Sequence, residues 1–395
     1  MKSGMNGPRW LRSGGRGVLA SALLFAVTAT SVGASSGVPV ASVLPTVADT
    51  GLASAQGIND DGVAVGYRYT AVFSAEFAEV WRDGAATDLP GIGGNRAEAR
   101  AINDRGTIVG TARGLARVNL RLAWRAVQWV NGTVSVLPDL GGTYTEAAGV
   151  NNHGQIIGTS DTTRSNSLVG VGTHHAVTWY RGQLTDLGTL GGKSSVGFAI
   201  NERGVAAGAS YTSTGNVHAA MWDRGVAVDL PPVGAGWNVG YAINESGTVV
   251  GFSEKVAGTP YTHAVAWIDG RAMDLGTLGG AFVQSQATGI NNEGIIVGVS
   301  YSADFSQQHA VEWIDGRIID LGFPAGETLS VANGINDNGT VVGFSDQYAL
   351  QWSTRSGEDG SDSGFQDNGS DLRKGSFHVE LKQRGNPVEE MAGDS

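Results

Sequence analysis

The stretch Val239-Gly-Tyr-Ala-Ile-Asn-Glu-Ser-Gly-Thr-Val-Val-Gly-Phe-Ser253, continued by His263-Ala-Val-Ala-Trp-Ile-Asp-Gly-Arg-Ala-Met-Asp-Leu275, reads as four short strands. Strand a is Val239 to Ile243, and Asn244 with Gly247 suits an Asx-type turn that ends in a positive-φ residue. Strand b runs from Thr248 to about Ser253, and a loop leads to His263. Strand c passes through Trp267, Asp269-Gly270 makes a second tight turn, and strand d is Arg271 to Leu275. Four antiparallel strands joined this way form one blade of a propeller.

The pattern returns along the chain. Ile/Val-Asn-x-x-Gly occurs seven times, with its asparagine at Asn59, Asn103, Asn151, Asn201, Asn244, Asn291 and Asn336. A tryptophan recurs with it, at Trp81, Trp129, Trp179, Trp222, Trp267, Trp313 and Trp352. From tryptophan to the next asparagine the spacing is 22, 22, 22, 22, 24 and 23, whereas from asparagine to tryptophan it varies from 16 to 28. One half of each repeat is therefore rigid and the other carries a variable loop. Periods near 45 residues belong to four-stranded blades, so the expectation is an all-β, seven-bladed β-propeller over residues 41–353.

Gly57, Ala101, Gly149, Ala199, Ala242, Gly289 and Gly334 precede the Ile/Val-Asn step. Small residues suit the crowded innermost strands, which assigns strand a to the axis. Repeat 7 stops just after Trp352 and lacks a strand d, while Ser42-Val-Leu-Pro45 stands ahead of repeat 1 and resembles Thr87-Asp-Leu-Pro90. The N-terminal strand is expected to complete the last blade and so remove the open edges. An open solenoid would need polar caps and would not explain the split blade.

His175-Ala176 with Asp186-Leu-Gly-Thr-Leu-Gly-Gly192, and His263-Ala264 with Asp274-Leu-Gly-Thr-Leu-Gly-Gly280, are each followed by Asn-x-x-Gly and a strand b glycine. With these motifs the chain resembles the HAF family of bacterial extracellular repeats. The third motif letter is Val or Ala here, and the His position is Phe77, Arg125 and Tyr348 in repeats 1, 2 and 7. The resemblance implies an exported repeat protein. It implies no established reaction, and no catalytic residue is carried over from it.

Composition fits such a protein. Glycine occurs 61 times in 395 residues, well above the usual share of about 7%, as many turns require. There is no cysteine, which excludes disulfides and thiolate metal sites. Residues 1–34 read as a secretory signal peptide, with Lys2, Arg9, Arg12 and Arg16 ahead of an apolar run from Val18 and with Val32-Gly-Ala34 at the cleavage site. An anchoring helix is the competing reading, but the run is short for a bilayer. Cleavage would take the net charge from −11 to −15, which opposes nucleic acid as a partner. Residues 35–40 form the mature N-terminal segment. Residues 354–395 read as a flexible polar tail, in which Phe377 to Leu381 has the character of a short strand.

His175, His218, His263 and His309 each stand four residues before a tryptophan, with Asp186, Asp229, Asp274 and Asp320 seven after it. Equivalent positions are spread around a ring, so each His, Asp and Trp set is expected to tie the strands of its own blade rather than to hold a metal. An active site is asymmetric, so residues that break the repeat are the better candidates. On the loop face these are Tyr67, Tyr69 and Phe73, then Arg113, Arg117, Arg121 and Trp124, then Tyr211, Trp237, Tyr261, Tyr301 and Phe305. Aromatic and arginine side chains are enriched at binding hot spots. The reading is a monomeric extracellular module that binds a glycan or protein without cofactor or metal. The alternative is a polysaccharide lyase or hydrolase with an axial site, for which Arg100 and Tyr241 are the irregular inner-strand residues.

Overall fold

The computed structural model describes residues 39, 41–47, 52–70, 74–118, 121–162, 173–234, 236–255, 261–280 and 283–353, without the side chains of 116–122. The leader, the tail with its Phe377 to Leu381 stretch, and Phe73 lie outside the described residues. The chain divides into two units, Met1–Ser356 and Gly357–Ser395, and only the first contains described residues.

In repeat 5 the strands are Asn238–Ile243, Val249–Glu254, Thr262–Ile268 and Arg271–Gly276, paired antiparallel in that order. They differ by about one residue from the boundaries read off the sequence. The first turn forms because Asn244 Oδ1 accepts the Thr248 N–H at 3.0 Å while the Gly247 N–H reaches the Asn244 carbonyl at 3.1 Å. In the second turn Asp269 and Gly270 have φ of 49° and 74°. Positive φ at both central residues marks the I′ turn, whose twist matches that of the flanking strands.

Among the described residues there are five four-stranded sheets and one of eight strands. The eight-stranded sheet is two antiparallel four-stranded halves, from repeats 1 and 2, joined by a single parallel bridge between Glu76 and Arg96. The innermost strands are Ala53–Ile58, Gly93–Ile102, Thr145–Val150, Gly191–Ile200, Asn238–Ile243, Ser285–Ile290 and Ser330–Ile335. Each lies beside the next, and Ser330–Ile335 lies beside Ala53–Ile58. Ala41–Val43 pairs antiparallel with Ala349–Ser353, setting Ala41 opposite Trp352 and Val43 opposite Leu350. Such stacked meanders are a β-propeller architecture.

Backbone proximity explains the glycines. In every repeat the innermost strand carries a register shift opposite a glycine of the second strand. A Cβ on Gly251 would stand 1.9 Å from the Val239 carbonyl oxygen, and one on Gly158 would stand 2.0 Å from that of Glu146. No other residue fits there.

The core lies between successive sheets rather than within any one. Trp129 packs with Val65, Ala78 and Leu89 of repeat 1, Trp267 with Ala207, Ala219 and Leu230 of repeat 4, and Trp81 with Val342 and Ala349 of repeat 7. A large ring that fills the gap between two sheets contributes roughly 3–5 kcal/mol by the cost of its removal.

Candidate functional site

Most side chains that recur once per repeat are consumed in holding the repeats together. The asparagines do more than shape their turns. Asn59 Nδ2 donates to the Asn103 carbonyl at 3.2 Å, Asn103 to Asn151 at 2.9 Å, and Asn151 to Asn201 at 2.9 Å. The series continues through Asn244, Asn291 and Asn336, and Asn336 donates to the Asn59 carbonyl at 2.9 Å. A second circuit runs beside it, in which each following residue offers its N–H to a side-chain oxygen of the next repeat, as Asp60 does to Asp104 at 2.9 Å and Asp337 to Asp60 at 2.9 Å.

The histidines pair within their own blades. His175, His218, His263 and His309 lie 2.7–2.9 Å from Asp186, Asp229, Asp274 and Asp320. Repeats 1 and 2 keep the tie with other residues, Arg68 to Asp88 at 2.8 Å and Arg125 to Asp139 at 3.0 Å. The tryptophans depart from the expectation that they tie their own blade. The indole N–H of Trp129 donates to the Pro90 carbonyl, Trp179 to Pro138, Trp267 to Pro231 and Trp81 to Pro45, each a proline at the end of the preceding outer strand. Where glycine replaces that proline, at Gly188, Gly276 and Gly322, its carbonyl takes Ser195, Ser285 or Ser330 instead. The following indoles, Trp222, Trp313 and Trp352, then have no hydrogen-bond partner.

The repeat breaks at the opposite end of the inner strands, in repeats 1 to 3. Four strands bring the groups together: Ala64–Tyr69 supplies Tyr67 and Tyr69, Glu76–Arg82 supplies Glu76, and the inner strands of repeats 2 and 3 supply Arg96, Glu98, Arg100 and Glu146. Arg100 Nη2 donates to Glu98 at 2.6 Å, Arg96 lies 3.5 Å from Glu76, and the Tyr144 hydroxyl donates to Glu146. The rings of Tyr67 and Tyr69 meet edge to face at 5.5 Å.

Charge balance decides the protonation here. Glu76 is 1% exposed, and its Oε1 and the Nε of Arg100 lack hydrogen-bond partners. Burial, then the charge of Glu98 and a hydrogen bond with it, push the Glu76 carboxyl up to about 8 against the pull of Arg96 and Arg100. A proton kept on the buried Glu76 lowers the negative charge of a cluster that also holds Glu98, Arg96 and Arg100, as its burial favours. Burial raises the Tyr67 and Tyr144 hydroxyls, and burial with the Glu76 and Glu98 charges raises Tyr69 to about 12. The cluster thus offers a carboxyl with a raised hold on its proton, Glu98 and Arg100 joined at 2.6 Å beside it, and a second guanidinium at Arg96.

Of the residues chosen from sequence, Tyr67 and Tyr69 join this cluster, and Arg113 reaches Trp124 on the adjacent strand with its guanidinium 5.9 Å from the ring. They sit within strands rather than in the loops expected for them, as do Arg117 and Arg121, which pair in register with Leu122 and Val118. Tyr211 packs in a cluster with Ala209 and Val217. Trp237 stands edge-on to Phe252 at 4.8 Å, and Tyr241 lies between Phe198 at 5.2 Å and Phe252 at 5.6 Å. Tyr301, the last residue of strand Ile296–Tyr301, contacts Phe305 of the loop that follows at 5.9 Å, and Tyr261 is half-buried ahead of its strand. The inner-strand breaks therefore divide into a charged set around Arg100 and an aromatic set around Tyr241. Glu76, Glu98 and Glu146 were missed from the sequence; for Glu98 and Glu146, acidic residues on inner strands otherwise lined by small and neutral ones were a visible signal, whereas Glu76 stands on the third strand of repeat 1.

No family model matches the chain, and no curated protein matches it. Solved structures similar to it include a gluconolactonase from Xanthomonas campestris, 11% identical, with 80% of this chain and 89% of that one covered and a TM-score of 0.38. The β-propeller domain of the trilobed protease from Pyrococcus furiosus is 10% identical, with 81% and 100% covered and a TM-score of 0.49. The acylaminoacyl peptidase from Pyrococcus horikoshii is 11% identical, with 75% of this chain and 50% of that one covered and a TM-score of 0.45. Identities this low say nothing of activity.

Proposed function

We propose that the chain is an exported, seven-bladed β-propeller, similar to HAF-repeat proteins, that binds an extracellular glycan or protein through the loop face of repeats 1 to 3. Support for a closed ring comes from the asparagine circuit, which returns to Asn59, and from Trp81, which reaches Pro45 behind the N-terminal strand just as Trp129 reaches Pro90. Support for binding comes from one observation: charged side chains that depart from the repeat converge around the buried Glu76 instead of scattering. A purely structural ring gives no reason to gather three carboxyls and two arginines around one buried carboxyl, Glu76, since such a network rarely adds stability over apolar packing. The test is retention of mature protein on polysaccharide arrays and wall extract, followed by the same assay on Arg100→Ala. Binding that this substitution leaves untouched removes the loop face of repeats 1 to 3 as its site. N-terminal sequencing of secreted protein tests the leader, with Ser35 as the expected first residue.

A second reading is favoured by Glu76, whose retained proton beside Glu98 matches the two-carboxyl arrangement of acid–base catalysis. It makes the protein an extracellular polysaccharide lyase or hydrolase. Product released from a polysaccharide panel by wild type and lost in Glu98→Gln would select this reading over simple binding.

A further inference from the structure

The joint between repeats 7 and 1 differs from the others at one buried position. Two residues before each later tryptophan stand Val127, Val177, Ala220, Val265, Val311 and Leu350, all fully buried and each in an apolar cluster with side chains of the preceding repeat. In repeat 1 that position holds Glu79, 0% exposed, whose Oε2 has no hydrogen-bond partner. A second departure stands beside it. In repeats 3 to 6 a serine of the second strand, Ser160, Ser210, Ser253 or Ser300, accepts the N–H of Leu140, Leu190, Val233 or Leu278 at 2.8–3.2 Å and so fastens the chain arriving from the preceding repeat. Arg68 replaces that serine in repeat 1, and the equivalent N–H, that of Val47, goes to Glu79 Oε1 at 2.8 Å.

Val47 ends a strap formed by residues 41–47. Ala41–Val43 adds three residues to the sheet of repeat 7, Leu44 donates to the Ala349 carbonyl at 2.9 Å, and the Pro45 carbonyl accepts the indole N–H of Trp81 in repeat 1. The strap has no titratable side chain, and neither have the strands Thr340–Ser345 and Ala349–Ser353 of repeat 7. Glu79 faces Arg68 and Asp88 of its own sheet. Arg68 Nε lies 3.7 Å from Glu79, but the guanidinium is spent on Asp88 at 3.1 and 2.8 Å. Burial therefore prevails and pushes the Glu79 carboxyl up to about 7, against the Val47 N–H and the Arg68 charge and with the Asp88 charge adding to the rise. Once the strap lifts, water reaches the carboxyl and its proton leaves in the ordinary range near 4.5. Opening thus releases a proton, so it costs less as pH climbs between these two values.

We propose that residues 41–47 form a pH-gated clasp, docked against repeat 1 in acid and lifting more readily at neutral and alkaline pH, with Glu79 as the sensor. The proposal rests on the closed ring proposed above and adds the place where that ring opens first. Lifting uncovers the backbone edge of Ala349–Ser353, which the strap otherwise pairs.

The experiment follows amide hydrogen exchange of the mature protein from about pH 5 to about pH 8, corrected for the intrinsic rate, at Leu44 and Val47 and, for comparison, at Leu140. The opening constant at Leu44 and Val47 is expected to rise about tenfold or more across that range, while at Leu140, held by Ser160, it stays level. Glu79→Gln keeps an acceptor oxygen but cannot ionise, and it should abolish the rise. Arg68→Ser with Glu79→Val restores the residue types of the other repeats and should protect the strap at every pH. The proposal is overturned if Leu44 and Val47 respond to pH no more than Leu140, or if the rise survives in Glu79→Gln; the closed ring then stands. Exchange of both strap amides at the unfolded rate at every pH would show an undocked strap and end both readings.

Discussion

The turn that ends each inner strand and the register shift within it carry opposite kinds of side chain. At the turn end all seven repeats place an asparagine that donates to the next, and all seven are buried. Midway along, at the residue that each register shift leaves without a partner, the equivalent positions hold Gln56, Arg100, Ala148, Phe198, Tyr241, Thr288 and Asn333, each three residues before its asparagine and all different. A turn that must hydrogen-bond to its own copy next door permits one residue. A position released from that demand can specialise, as Arg100 does beside Glu98 and Tyr241 does between Phe198 and Phe252.

If this contrast is right, substitutions at the repeated positions should cost stability and those at the irregular ones should not. The largest effect is expected for Gly251→Ala, because the new methyl would meet the Val239 carbonyl at 1.9 Å and the two strands would have to part. Overpacking against backbone should cost more than about 4 kcal/mol, seen as loss of soluble protein or of a cooperative unfolding transition. Next is Asn201→Leu, which removes the acceptor for the Val205 N–H at 3.0 Å and the donor to the Asn244 carbonyl at 3.1 Å. Two buried backbone groups left unpaired should cost about 3 kcal/mol in a denaturant titration.

Glu76→Gln should act in the opposite sense. A carboxyl whose folded pKa is raised holds its proton in the native state while the unfolded chain has released it, so stability falls as pH rises from the unfolded value of 4.5 towards about 8. Glu79 adds to the same slope, because its burial raises it to about 7 despite the Val47 N–H and the charge of Arg68. In melting curves across this range, Glu76→Gln should gain about 2 kcal/mol at the alkaline end and keep only the part of the slope that ends near 7. A variant that is no more stable than wild type above pH 8 would show that Glu76 is not held neutral. The smallest effect is expected for Phe305→Ser, at a side chain 45% exposed on a loop outside repeats 1 to 3. Its stability should stay within about 0.5 kcal/mol of wild type.

Strand order and turn positions were legible because they depend on residues a few places apart. Asn244, Gly247, Asp269 and Gly270 are each explained by a hydrogen bond or a positive φ within their own repeat. The partner of each tryptophan was not legible in this way. Trp267 meets Pro231, 36 residues earlier in the preceding repeat, and nothing near Trp267 announces it. Once the stacking is known, the alternation of Leu-Pro and Leu-Gly at residues 89–90, 137–138, 187–188, 230–231, 275–276 and 321–322 becomes readable as two ways to spend one carbonyl.

By itself the sequence determined the repeat, its four strands and the small residues where backbones crowd, since periodicity and turn chemistry act over short distances. Only the tertiary structure decided that Glu76 of one repeat would share its surroundings with Glu98 and Arg100 of the next. Whether a buried carboxyl keeps its proton depends on the dielectric and the charges that stacking places around it, and those distances do not exist until the sheets have packed.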